Sequence, residues 1–152
     1  MSDERYEPPR ANLIQPLGLD CPVFTVQQIS TGAFLGSPLA SAWMMAVNCA
    51  AFGRPEGRRT TLFWGVAGTA AILGLSFALP TEMARPLPIA YTLAIRELAK
   101  AKQGNEIDEH VRAGGRRRSW WGAVAISIAC VALLVLAVFL GALLLTWAGV
   151  IG

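Results

Sequence analysis

The stretch "GAFLGSPLASAWMMAVN", Gly32 to Asn48, decides the fold. It is uncharged, rich in small residues, and carries a proline and an asparagine. Extended to Val26 and Phe52, it exceeds the roughly 20 apolar residues that cross a hydrocarbon core. It is therefore read as a first membrane span, with its polar entry capped by Ser30 or Thr31. Proline in a helix interior costs ~3 kcal/mol in water, but membrane helices tolerate it where neighbours satisfy the freed carbonyl. Pro38 is accordingly read as a kink. Gly32, Gly36 and Ala40 recur every four residues, and so do Ala33, Ser37 and Ser41. On a helix these make two adjacent ridges with almost no side chain. Lipid tails are as apolar as leucine, so membrane helices associate through close van der Waals fit, which small ridges allow. The six residues are thus candidate helix-packing positions, against another span or another copy.

The rest of the 152-residue chain has the same character. Hydrophobic residues make up 54% and charged residues 15%, against ~25% charged in soluble domains. The charges cluster, leaving Thr60 to Thr81 and Ser119 to Gly152 without any. A soluble helical domain would place charges at helical spacing to make a wet face. The expected class is an all-α integral membrane bundle of about four helices. A Pro-rich tail over residues 1–25, with four acids and four prolines, is expected to be disordered. It lacks the basic and apolar regions of a cleavable signal peptide.

Residues 26–152 form the expected membrane domain, with spans near 26–52, 60–80, 83–103 and 120–150. The second is "TTLFWGVAGTAAILGLSFALP", with Trp64 near its basic end. The third, "MARPLPIAYTLAIRELAKAKQ", has only about ten uncharged residues after Pro86, short of a full span. It either crosses with Arg96 snorkelling or lies in the interface. "GNEIDEHVRAGGRRRS" is read as a polar loop, and Trp120 to Gly152 as one long tilted helix. Trp64, Trp120, Trp121 and Trp147, with Arg116, Arg117 and Arg118, are candidate interface anchors.

Lys and Arg set orientation. Arg54, Arg58 and Arg59 follow the first span, only Arg85 lies between the second and third, and seven basic residues run from Arg96 to Arg118. Four crossings put both rich segments in the cytoplasm and the N-terminal tail outside. Three would divide them between the two faces.

No catalytic set is visible: no GxSxG, HExxH or phosphate-cradling loop. "EIDEH", with the single histidine His110, lacks a second ligand cluster for a metal. Cys21, Cys49 and Cys130 have no metal or disulfide spacing. No cofactor is expected, and nothing points to nucleic acid. No carboxylate lies deep in a span, which weighs against an ion-coupled carrier. The expected partners are the lipid bilayer and either a second copy or an unknown membrane protein. The favoured function is a non-enzymatic membrane protein. The alternative is a small transporter or channel component, with a polar path through Asn48, Ser76 and Tyr91.

Taken together, "FLGSPLAS", the following asparagine and "FGRP", an apolar span ending in proline, "KQG", "EH" and "GGRRRSWWGAVAI" resemble a family of small bacterial multi-pass membrane proteins with no assigned activity. The resemblance covers about Val26 to the last span. It implies a bacterial inner-membrane location and no known reaction.

Overall fold

The computed structural model describes residues 20–149. The expected disorder of the tail falls mostly on residues 1–19, outside the described residues. Among the described residues the only regular structure besides helix is one isolated bridge between Val23 and Arg117. Its elements are α1 (Val26–Ala51), α2 (Pro55–Ala78), the single turn α3 (Thr81–Ala84), α4 (Leu87–Arg112) and α5 (Trp120–Trp147). By length and composition, α1, α2 and α5 are each able to cross a membrane.

The first of these is not a continuous rod. Ser37 has φ 79° and ψ 169°, far from helical values, and the chain reverses there. A straight helix would hold Phe24 and Asn48 about 36 Å apart at 1.5 Å per residue. Instead the Asn48 side chain bonds both backbone groups of Phe24 at 2.8 Å. Gly32 likewise lies against the Met44 side chain, and Ile29 and Met44 share one buried cluster. α1 is thus a helical hairpin with arms 26–36 and 38–51. The arms rise about 16 and 21 Å, well short of a ~30 Å hydrocarbon core. The expected first span over 26–52 is therefore corrected: its length is used in going in and coming back. Pro38 does not merely kink a helix. It opens the second arm, a position where its missing N–H costs nothing and its φ is already helical.

Both ends of the hairpin meet at one end of the molecule, called the base below. α2, α4 and α5 each pack on α1, and none packs extensively on another. α5 touches it through Ala123, Ser127 and Cys130, one helical stripe, and none of its residues beyond Cys130 is buried. α2 contributes Gly65 and Thr69, and α4 contributes Ala99, Gln103, Gly104 and Ile107. α2 starts at the base, α4 returns to it, and α5 leaves from it.

Three further expectations are corrected. The first helix is capped by Thr25, not Ser30 or Thr31, in a reciprocal capping box with Gln28. α4 continues to Arg112, so most of the expected loop after Gln103 is helix. Gly104 and Asn105 read locally as breakers, but the Ala99, Gln103, Ile107 stripe is buried against α1, and that burial outweighs the local preference. Finally, the residues just before α1 lie beside Arg116–Arg118 at the base. The entry to α1 therefore shares an end with both arginine-rich segments, rather than lying opposite them.

Candidate functional site

Two polar centres are built on the hairpin, one at its base and one at its tip. At the base, Asn48 is fully buried. Its Oδ1 accepts from the Phe24 N–H and its Nδ2 donates to the Phe24 carbonyl, as a neighbouring strand would. The partners fix which way the amide faces, because one is a donor and the other an acceptor. Nδ2 also donates to Gln103 Oε1 at 3.2 Å. Gln103 Nε2 in turn donates to the Met45 carbonyl at 2.9 Å and approaches Cys49 Sγ at 3.2 Å. One amide pair thus ties both arms of the hairpin to α4.

The same clasp reaches α5. Gln28 Nε2 donates to the Arg118 carbonyl at 2.8 Å. The Val23 N–H donates to the Arg116 carbonyl, and the Arg118 N–H to the Val23 carbonyl. The Arg118 guanidinium stands 5.1 Å from the centre of the buried Phe24 ring, a cation–π distance. Arg54 and Glu106 pair across the start of α2 and the end of α4. Buried polar groups cost least when every donor and acceptor is matched. In the clasp the oxygen and the nitrogen of each buried amide, Asn48, Gln28 and Gln103, have a partner, which is how these three side chains are held inside the bundle.

At the tip, small residues permit the reversal. A Cβ on Gly36 would lie 2.6 Å from Ser127 Cα, so α5 passes directly over this glycine. A Cβ on Gly65 would collide with Ala42, which lets α2 approach the second arm. Ser41 Oγ donates to the Pro38 carbonyl at 2.8 Å, and Ser127 and Thr69 donate to carbonyls of their own helices. Ser37 Oγ is buried without a hydrogen-bond partner among the described residues.

The six candidate packing residues therefore do not line one straight helix. Gly32, Ala33 and Gly36 lie on the first arm, Ala40 and Ser41 on the second, and Ser37 at the turn; all but Ser37 are buried. The two ridges expected of a continuous helix do not exist, because the backbone leaves helical geometry at Ser37. The candidate anchors Trp64, Trp120, Trp121 and Trp147 are exposed. Arg116, Arg117 and Arg118 are exposed as side chains, while their backbone pairs with Val23.

Gln28, Gln103 and Phe24 were not visible as a group in the sequence. The Thr25-x-x-Gln28 pattern was a usable signal for the cap; nothing local marked Gln103 as the partner of Asn48. Asn48 and Ser76, two of the three residues of the polar path that belongs to the transporter alternative, are not brought together. The Asn48 amide is committed to the clasp, whereas Ser76 is exposed near the far end of α2 and donates to the Ile72 carbonyl. Among the described residues no three His, Cys, Asp or Glu side chains are grouped as metal ligands. His110 packs edge-on to Phe52 instead, with ring centres 6.2 Å apart. The described cysteines are free, with Cys49 and Cys130 buried and Cys21 exposed.

No family model matches this chain, and no curated protein or solved structure shows similarity to it.

Proposed function

We propose that this chain is a multi-pass protein of a bacterial inner membrane that has no catalytic activity and works by packing with a second copy or a partner subunit. The observation that carries this reading is the half-depth hairpin at the centre of the bundle. It fills the base half between α2, α4 and α5 and leaves the far halves of those helices largely exposed. α5 beyond Cys130 is uncharged and unburied, a surface suited to lipid or to another membrane helix.

In this reading α2, α4 and α5 cross and α1 is re-entrant. Three crossings then place both arginine-rich segments in the cytoplasm, together with the entry to α1, as the positive-inside rule requires. Thiol accessibility in intact cells tests the arrangement. With Cys49 and Cys130 replaced, native Cys21 and a cysteine at Gly57 should be shielded from a membrane-impermeant reagent, while one at Thr81 should react. Labelling of Cys21 from outside would restore a continuous first span.

One observation favours a transporter or channel component instead. A helix broken at mid-depth, with the Ser37 hydroxyl buried and unpartnered, is a feature that transporters use at substrate and ion sites. Solute flux in vesicles containing the purified protein would support that reading.

A further inference from the structure

The turn that hands α4 over to α5 is built around the single histidine of the chain, His110. The Gly114 N–H donates to the Val111 carbonyl at 3.1 Å, and the Gly115 N–H to the His110 carbonyl at 2.8 Å. With Gly114 at φ 86°, this is the left-handed glycine cap in which the third residue from the helix end packs on the second residue beyond the cap. Here those two residues are His110 and Gly115. A Cβ on Gly115 would collide with Nε2 and Cδ2 of His110, so the ring occupies the place a side chain would take. The ring also meets Phe52, at the end of α1, edge-on.

Nε2 is buried in this contact and has no hydrogen-bond partner among the described residues. A neutral imidazole accommodates that, because it can carry its one proton on Nδ1 and leave only a lone pair at Nε2. An imidazolium cannot, since both its nitrogens are donors. Its Nε2–H would be an unmatched donor bearing part of a positive charge, which a closed site disfavours. The charged groups around the ring do not supply an acceptor. On α4, Glu106 stands one turn before His110 and is paired with Arg54, which follows Phe52. Asp108, Glu109 and Arg112 on α4, and Arg116 on the turn, are exposed, and none bonds Nε2. A helix C-terminus favours a nearby cation, but the His110 and Val111 carbonyls are already bonded by the turn.

The residues that follow the turn hold the entry to α1. The Val23 N–H donates to the Arg116 carbonyl, the Arg118 N–H to the Val23 carbonyl, and Gln28 Nε2 to the Arg118 carbonyl. We propose that His110 is a proton-operated latch on this junction: the neutral ring packs on Gly115 and keeps the turn closed, and a proton on Nε2 expels the ring and releases Arg116–Arg118 from the entry to α1. The open form takes up a proton that the closed form excludes, so the closed form loses weight as pH falls. Imidazoles change charge between about pH 5 and 8, which sets the range over which the latch works. Further along α5, Ser127 still lies over Gly36, so the release is confined to the base. The latch does not depend on which side of a membrane the base faces.

Amide hydrogen exchange of the full chain in mild detergent tests this, read by NMR as protection relative to the unstructured rate at each pH. From about pH 8 to about pH 5, protection at Val23 and Arg118 should fall about tenfold, the effect of one unmatched buried donor. The amide of Cys130 on α5 should keep its protection. The fall should follow the charge change of the His110 ring itself, observed through its ring-carbon shifts in the same samples. His110→Phe keeps an aromatic ring beside Phe52 and takes up no proton, so protection at Val23 and Arg118 should be the same at both ends of the range. Should that variant fail to fold, the ring shifts of the native chain decide alone. Protection that does not change with pH, a change that does not follow the ring, a change that persists in His110→Phe, or an equal loss at Cys130 would overturn the proposal.

Discussion

Gln27 and Ala50 lie one residue inside the two ends of α1, and both are exposed. They offer a direct measure of the reversal at Ser37. In a continuous helix, 23 residues separate them by about 35 Å at 1.5 Å per residue. In the hairpin they sit on neighbouring arms at the base, where Asn48 touches Phe24 at 2.8 Å. Packed helices have axes 8–10 Å apart, so the two backbone positions should be about 10–15 Å apart. Nitroxide labels add several ångströms of spread to each value but leave a gap of about 20 Å. The experiment is a pulsed electron–electron distance measurement, with continuous-wave broadening for the short range. It uses Gln27→Cys and Ala50→Cys in a background with Cys21, Cys49 and Cys130 replaced. Strong dipolar broadening is the expected outcome, in detergent and in vesicles alike. A distribution centred near 35 Å would show that α1 is a single rod, and the base clasp could not then exist. The same sample diluted with unlabelled protein separates distances within a chain from distances between chains, since only the latter fall in amplitude.

The clasp and the tip make separate expectations. Asn48→Ala leaves the Phe24 N–H and carbonyl unmatched in a buried site, at about 1–3 kcal/mol for such groups. Denaturant unfolding in mild detergent should show a loss in that range, and exchange of the Phe24 amide proton should speed up. An unchanged midpoint would mean that these bonds carry no weight. At the tip, neighbouring substitutions should act in opposite directions. Gly36→Leu drives a side chain into the Ser127 backbone and should destabilise by about 1–3 kcal/mol, as overpacking does, with Leu39→Ala as the control for lost apolarity. Ser37→Gly relieves a left-handed φ and removes an unpartnered hydroxyl. It should raise the thermal midpoint, because such backbone strain costs about 1–3 kcal/mol and exceeds the ~0.5–1 kcal/mol entropic cost of glycine. A lowered midpoint for Ser37→Gly would argue that the serine hydroxyl has a role at the tip.

How much was legible depended on whether the deciding force was local. Long uncharged runs with charges only at their margins identify helices that satisfy their own backbone in an apolar medium. The boundaries of α2 and α5 follow from Pro55, Pro80 and Ser119, each acting on its own turn. Hence the helical class, the membrane character and the single long last helix could be read from the 152 residues alone. Pro38 could not be resolved that way. A kink and a reversal place the same demands on the residues beside it: a lost N–H, a freed carbonyl and small neighbours. The choice lies with groups far away in sequence, namely Phe24 meeting Asn48, Gln103 joining them from α4, and Ser127 passing over Gly36. Gly104 and Asn105 show the same limit, since their local signal for a loop is overruled by the burial of Ala99, Gln103 and Ile107. The end of the molecule at which the chain enters α1 was decided by tertiary structure alone, because charge counting assigns sides only after the number of reversals is known.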